Sequence, residues 1–350
     1  MRTKAFYRGK RIFVTGHTGF KGAWLCRLLL EWGAEVYGYA LHPPSEPNLY
    51  TLAGLEGQMA SYIGDIRDLE YLQQVMQQVQ PQIVFHLAAQ PIVQEGYRDP
   101  VSTYSTNVMG AVHVLECVRH TDTVQSVIHV TTDKVYDNQE WCWPYRETDR
   151  LDGYDPYSNS KSCAELVTHS YIRSFLHEKG VRVSTLRAGN VIGGGDFAAG
   201  RIVPDCIRSV CAGQPIQVRN PASIRPYQHV LEPLAAYVLT AQRQWEDPAL
   251  AGCYNVGPDT ADSLTTGELV EMFCTCWGEG ASWQHQAGAQ APHEAGRLRL
   301  DCTKIQDCLG WKPRWNIRQA IQQTVCWAKV WQAGQDIPAE MQREIQQYFA

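Results

Sequence analysis

At 350 residues the chain can bury a sizeable core, as one large α/β unit or as two joined lobes. Its 44% hydrophobic and 19% charged residues are ordinary for a globular protein, and a net charge of -5 without basic runs gives no electrostatic footprint for nucleic acid. Its longest apolar stretches break well before the roughly 18 residues that span a bilayer, so no membrane partner is expected.

The polar stretch 1–11 leads straight into a strand, without a signal-peptide pattern. Residues 11–15 are a short apolar run ending at glycine, as a buried parallel strand does. A helical pattern over 22–32 follows, with Gly33 placed to end it. Residues 35–41 read as a second strand, 68–79 as a helix, 83–87 as a strand, 104–118 as a helix and 126–131 as a strand. A helix over 156–179 then leads to a strand at 182–187. This alternation predicts an α/β fold with a doubly wound, parallel, Rossmann-type sheet. Beyond about residue 190, Gly193-Gly194-Gly195, Pro204, Pro215, Pro221 and Pro226 break the pattern, leaving helices over 231–244, 266–277 and 317–333. The expected division is a nucleotide-binding and catalytic domain over 1–189 and a smaller mixed α/β substrate-binding lobe over 190–350, with parts near 225–250 able to return to the first. The 12 cysteines are scattered without a CxxC pair, and several, such as Cys26 and Cys117, sit in apolar segments, as in a reduced cytoplasmic protein. The 11 histidines form no HxxxH or HExxH spacing, so no metal site is expected.

Gly16, Gly19 and Gly22 fit T-G-x-x-G-x-x-G between the first strand and first helix, with His17, Thr18, Phe20 and Lys21 between them. Such glycines permit a tight turn and close backbone approach, while the helix N-terminus stabilises a pyrophosphate. Residues 40–44 carry neither Asp nor Arg, so this element leaves NAD and NADP open. Asp65, beside Ile66, is placed either to hold an adenine amine or to cap the following helix. The turn Leu87-Ala88-Ala89-Gln90 is small enough for a cofactor to lie over it.

Tyr157 and Lys161, four apart on a predicted helix, share one face. A phenol is a poor base at neutral pH, and a nearby ammonium with a cationic nicotinamide would favour its phenolate. Thr132, Asp133 and Lys134 end a central strand, at the edge where ligands bind in such sheets. Thr132 can bond a sugar hydroxyl, a protonated Asp133 can donate to a leaving hydroxyl, and a neutral Lys134 can take a carbon-bound proton. A solvated turn with a surface ion pair is the alternative for that triplet.

The residues 14–22, 131–138, 145–147, 153–158, 189–196, 225–233 and Leu309-Gly310-Trp311 resemble the extended short-chain dehydrogenase/reductase family over nearly the whole chain, and within it the nucleotide-sugar 4,6-dehydratases. Lys134 is the most specific part, since the members acting on dTDP-glucose and GDP-mannose resemble each other in having Glu there. The resemblance implies NAD as cofactor and CDP-glucose as substrate. It implies oxidation at sugar carbon 4 by Tyr157, proton removal at carbon 5 by Lys134, protonation of the carbon 6 oxygen by Asp133, loss of water and hydride return. Lys134 serves as base only if its pKa falls, as Lys161 and the nicotinamide would make it do. By the same resemblance Asn190, Arg201 and Arg225, with Arg219 a weaker candidate, grip the sugar nucleotide, and Asn107 matches an active-site asparagine touching cofactor and substrate. Alternatives on the same fold are a nucleotide-sugar 4-epimerase or dehydrogenase; a non-catalytic NAD(P)-sensing protein is the third. A homodimer is expected through the helices near 104–118 and 157–178, where Val112, Val114, Leu115, Leu166, Val167 and Tyr171 are apolar.

Overall fold

The computed structural model describes residues 2–259, 262–278, 280–286 and 298–350. Seven strands, all parallel, form the central sheet: β1 (Arg11–Thr15), β2 (Glu35–Ala40), β3 (Ala60–Ile63), β4 (Ile83–His86), β5 (Ser126–Val130), β6 (Arg182–Ala188) and β7 (Cys253–Val256). Their spatial order is β7-β6-β5-β4-β1-β2-β3. Because side chains alternate across a strand, each central strand feeds two cores. Ile12, Val14, Ile83, Phe85, Ile128 and Val130 face one layer, while Phe13, Val84 and Val127 face the other. Both faces are covered, which is why these strands read as continuous apolar runs.

Helix α1 (Phe20–Glu31) covers the first face, and Gly33, at φ +78°, turns the chain just beyond it. Helices α2 (Leu69–Val79), α3 (Gly110–Arg119) and α4 (Pro156–Tyr171) belong to the second. The helix expected over 104–118 instead starts at Pro100 and reaches α3 through a π turn at Ser105–Met109. The one expected over 156–179 leaves α-geometry after Tyr171 through a second π turn, Ile172–Leu176. Hydrophobic periodicity does not register the single extra residue of such turns.

In the second half the longest elements are the helices α5 (Ile202–Cys211), α6 (Leu231–Glu246), α7 (Thr266–Trp277), α8 (Ile317–Gln332) and α9 (Ile337–Phe349). Helices α5, α7 and α8 surround a third core around Ile207, Phe273 and Ile321. The rest of this half joins the main sheet: α6 packs on β5 and β6, where Gln244 Nε2 donates to Val127 O at 3.1 Å and Ser126 Oγ to Ala241 O at 3.0 Å. Strand β7 extends the edge at β6, and α9 packs against α1. Among the described residues no helix is long and apolar enough to cross a membrane, and all twelve cysteines are free.

Candidate active site

The glycine-rich turn leaves β1 and enters α1 as its residue types require. Gly16 sits at φ +78°, and a Cβ there would lie 2.8 Å from Ala88 N; at Gly22 one would lie 2.1 Å from Gly16 O. Gly19 is different: a Cβ there would meet Gly16 O at 3.5 Å, an ordinary contact. No side chain caps α1, leaving the first-turn amides for a bound anion. The cradle therefore fits a dinucleotide pyrophosphate. His17 is buried against Gly38, with Nε2 2.7 Å from Ser61 Oγ, and burial pushes its imidazole down to about 4. Thr18 donates to Leu41 O at 2.9 Å, which ties the turn to the end of β2. Phe20 lies beside Gly193 and Val230, so its ring holds the loop against the second half.

Ile66 is buried against Gly110, and the amides of Leu87 and Ala88 both reach Thr15 Oγ1 at 3.2 Å, fixing the turn beneath the cofactor groove. Asp65 does not cap α2; Asp68 does, accepting from Tyr71 N at 3.1 Å. The Asp65 carboxylate instead accepts the Arg67 guanidinium at 2.6 Å, so a bound adenine amine would share it. Asn107 lies on the π turn with its carboxamide committed to the protein. It accepts from Gln90 N at 2.8 Å and donates to Gln90 O and to Ser160 Oγ. Asn107 thereby ties the Gln90 turn to α4.

Tyr157 and Lys161 occupy one face of α4, capped by Asp155, whose carboxylate accepts from Ser158 N at 3.0 Å. Both are buried. Burial pushes the Tyr157 phenol up to about 12, opposed by a hydrogen bond shared with Thr132 and by Arg201. Burial, with Lys21, pushes the Lys161 ammonium down to about 7, and its Nζ donates to Val130 O at 3.2 Å. The phenol is therefore not pre-ionised by the protein alone. Asp133 is buried; burial raises its pKa against the opposing pull of Lys134, of the Thr132 hydroxyl (3.0 Å) and of Arg225. A protonated carboxyl is the form that can donate.

Asp133, Lys134, Tyr136, Ser158 and Arg225 line one cleft, of about 700 Å³ and open to solvent. Arg201 donates to Asp196 at 2.9 Å, and both act electrostatically on Lys21, whose ammonium is pushed down to about 8 by burial and Arg201. Asn190, half-buried, accepts from Gln228 N through its carbonyl. Arg219 is exposed after the short strand Ile216–Val218 and is not among the cleft-lining residues.

One functional pair escaped the sequence reading. Glu165, one turn beyond Lys161, is fully buried and forks onto Arg187 of β6, with Oε1–Nε and Oε2–Nη2 both at 3.0 Å. It also accepts from Thr131 (2.5 Å) and Thr185 (2.7 Å), bolting the catalytic face of α4 to β5 and β6. The signal was present, since 157, 161 and 165 continue one four-residue series.

Residues 13–324 match the family model of GDP-mannose 4,6 dehydratase. CDP-glucose 4,6-dehydratase of Salmonella typhimurium is 48% identical, over 100% of this chain and 99% of its own. dTDP-glucose 4,6-dehydratase of Xanthomonas campestris pv. campestris is 30% identical, over 90% of this chain and 92% of its own. Among solved structures, the dTDP-glucose 4,6-dehydratase of Streptomyces venezuelae superimposes with a TM-score of 0.78 at 23% identity, covering 93% of this chain and 99% of that one. The glycine cradle, the Tyr157/Lys161 face and these likenesses lead to one conclusion: the chain belongs to the GDP-mannose 4,6-dehydratase family of the extended short-chain dehydrogenases/reductases.

Proposed function

We propose that this protein is a hydro-lyase that dehydrates CDP-glucose to CDP-4-keto-6-deoxyglucose. The observation that carries the reading is the meeting of a buried Asp133 with Lys134 in the cleft beside Tyr157. A pure oxidoreductase or a 4-epimerase needs the phenol and its lysine but no acid for a departing hydroxyl. A sensor needs none of these. The cytidine base and the glucose are supported by the name of the 48% identical Salmonella protein. NAD is supported by the glycine cradle with its uncapped helix start and by the Streptomyces enzyme, whose structure has NAD bound.

Tyr157 takes the proton from the carbon 4 hydroxyl. The turn of Gly16, Gly19 and Gly22 would hold NAD, which would supply a reversible hydride acceptor for carbon 4 and donor for carbon 6. The new ketone acidifies carbon 5, whose proton goes to Lys134, while Asp133 protonates the carbon 6 oxygen and water leaves. Thr132 orients the sugar. Asn190, Arg201 and Arg225 grip the nucleotide end, since a guanidinium fork suits phosphate oxygens. Oxidation and reduction cancel over the cycle. A homodimer is supported by apolar side chains that the helices flanking this site leave outward, Val101, Met109 and Leu166, the last 55% exposed. Val114 and Leu115, expected there, are buried in the subunit's own core. A cytoplasmic role in supplying deoxysugars to surface glycans completes the reading.

The test is incubation with CDP-glucose and NAD, followed by the alkaline ultraviolet absorbance of a 4-keto sugar. A 4-keto-6-deoxy product is expected, and dTDP-glucose, UDP-glucose and GDP-mannose should react far less. An isomeric CDP-sugar would instead mark an epimerase, and no turnover of any of the four would overturn the catalytic reading.

A further inference from the structure

The catalytic face of α4 continues past the cleft. Glu165 and His169 extend the four-residue series, and there they meet Cys253, the first residue of β7. His169 Nε2 lies 3.0 Å from Cys253 Sγ and 3.7 Å from Glu165 Oε2, and the three donor atoms all fall within 4.8 Å of one another. We propose that this carboxylate, imidazole and thiol form a site for one thiophilic divalent cation of the zinc and cadmium class, at the sheet edge and outside the sugar-nucleotide cleft.

Metal–ligand bonds of about 2.0–2.3 Å place tetrahedral donors roughly 3.2–3.8 Å apart, so only small side-chain shifts are needed, and water can take the fourth position. Sulfur and imidazole nitrogen select against magnesium and calcium, which prefer all-oxygen sets. Glu165 is buried, whereas His169 and Cys253 are half-buried, giving the cation a route from solvent. Three cationic groups stand nearby: Arg187 on the Glu165 carboxylate, Lys304 donating to Cys253 O at 2.8 Å, and Arg173 donating to His169 O at 3.2 Å. Burial and the Glu165 carboxylate push the Cys253 thiol up, against Arg187 and Lys304, so the cation itself displaces the thiol proton; thiolate with carboxylate then offsets its two charges. On binding, the thiol proton passes to solvent as the metal–sulfur bond forms, with no change of oxidation state.

Glu165 Oε2 already accepts from Thr185 and Arg187, so one of these contacts must yield to the cation. That perturbs the bolt one turn from Lys161, and the cation should therefore inhibit turnover. Binding stands independently of the catalytic reading; only inhibition rests on it.

Full-length, chelator-free protein is titrated with CdCl2, following the ultraviolet thiolate-to-cadmium band, in wild type, Cys253→Ser and His169→Gln. Wild type should show one equivalent bound at least about tenfold more tightly than in either variant. ZnCl2 should slow wild-type turnover, while both variants keep basal turnover and resist it. Equal stoichiometry and affinity in wild type and Cys253→Ser would overturn the site, because other cysteines would then hold the metal. Binding lost with Cys253 but without zinc inhibition would overturn the coupling to Lys161. A failed dehydratase reading would show before any metal is added, as absent turnover.

Discussion

Asp133 and Lys134 are neighbours in sequence, yet only the aspartate is fully buried, packed beside Gly189 with the lysine at the cleft wall. Replacing Lys134 with Ala should leave oxidation at carbon 4 intact and stop the elimination. The reduced cofactor's absorbance should accumulate while deoxysugar formation falls about 10²–10⁴-fold, the usual worth of a positioned acid or base. Steady product formation without that absorbance would remove Lys134 from the mechanism. Asp133→Asn should give the same stall, since an amide keeps the shape but supplies no acidic proton. At this scale the sequence was informative where spacing carries meaning: 157 and 161 share a face because they are four apart, and the 132–134 triplet ends a central strand. It did not give the protein partners of Asn107 and Asp65, whose side chains bond Gln90, Ser160 and Arg67 through local geometry no spacing encodes.

Among the elements, the nucleotide turn and α4 are the least replaceable. Gly22→Ala would push a methyl group into Gly16 O, a backbone atom that cannot swing aside. The expected cost is about 1–3 kcal/mol of stability, with weaker NAD binding seen by fluorescence titration; unchanged affinity would contradict the cradle. Glu165→Gln would leave Arg187 buried without its counter-charge, a loss of about 3–5 kcal/mol, measured as a lowered urea midpoint. Replacing both with apolar residues should cost much less than the single change. Strands β3 and β7 were illegible for physical reasons. Ala60–Ile63 buries none of its four residues, and Cys253–Val256 carries the buried Asn255, which bonds the Tyr136 hydroxyl at 2.6 Å and interrupts the apolar run. Helix α9 was legible but overlooked: Ile337, Met341, Ile345 and Tyr348 repeat at helical spacing.

Across the whole molecule, buried neutral histidines set an acid limit on stability. The His17 imidazole titrates at about 4 when folded and near 6.5 when unfolded, and burial depresses His86 and His129 as well. Between those pH values the unfolded chain binds the extra proton, so stability falls as pH drops from 6.5 towards 4. His17 alone contributes about 3 kcal/mol to that fall. Urea midpoints across this range should drop steeply, and His17→Asn should flatten the slope; a parallel profile would show that other groups dominate. Assembly belongs to this scale too. Leu166→Glu should shift the sedimentation profile of the proposed homodimer towards monomer, and an unaltered profile would place the interface elsewhere.

The last strand of the sheet is supplied by chain that has already left to build the other half. Between Ala188 and Cys253 the polypeptide passes through α5 and α6 before β7 closes the ladder beside β6. A fragment cut at residue 189 would therefore hold every residue of the catalytic triplet and of the Tyr157 helix, yet present an uncovered β-edge and an apolar face stripped of α6. Such edges recruit other chains. The shortened protein should precipitate rather than serve as a minimal enzyme, because the half carrying Tyr157 and the 132–134 triplet relies on α6 and β7 to cover its apolar face and its edge.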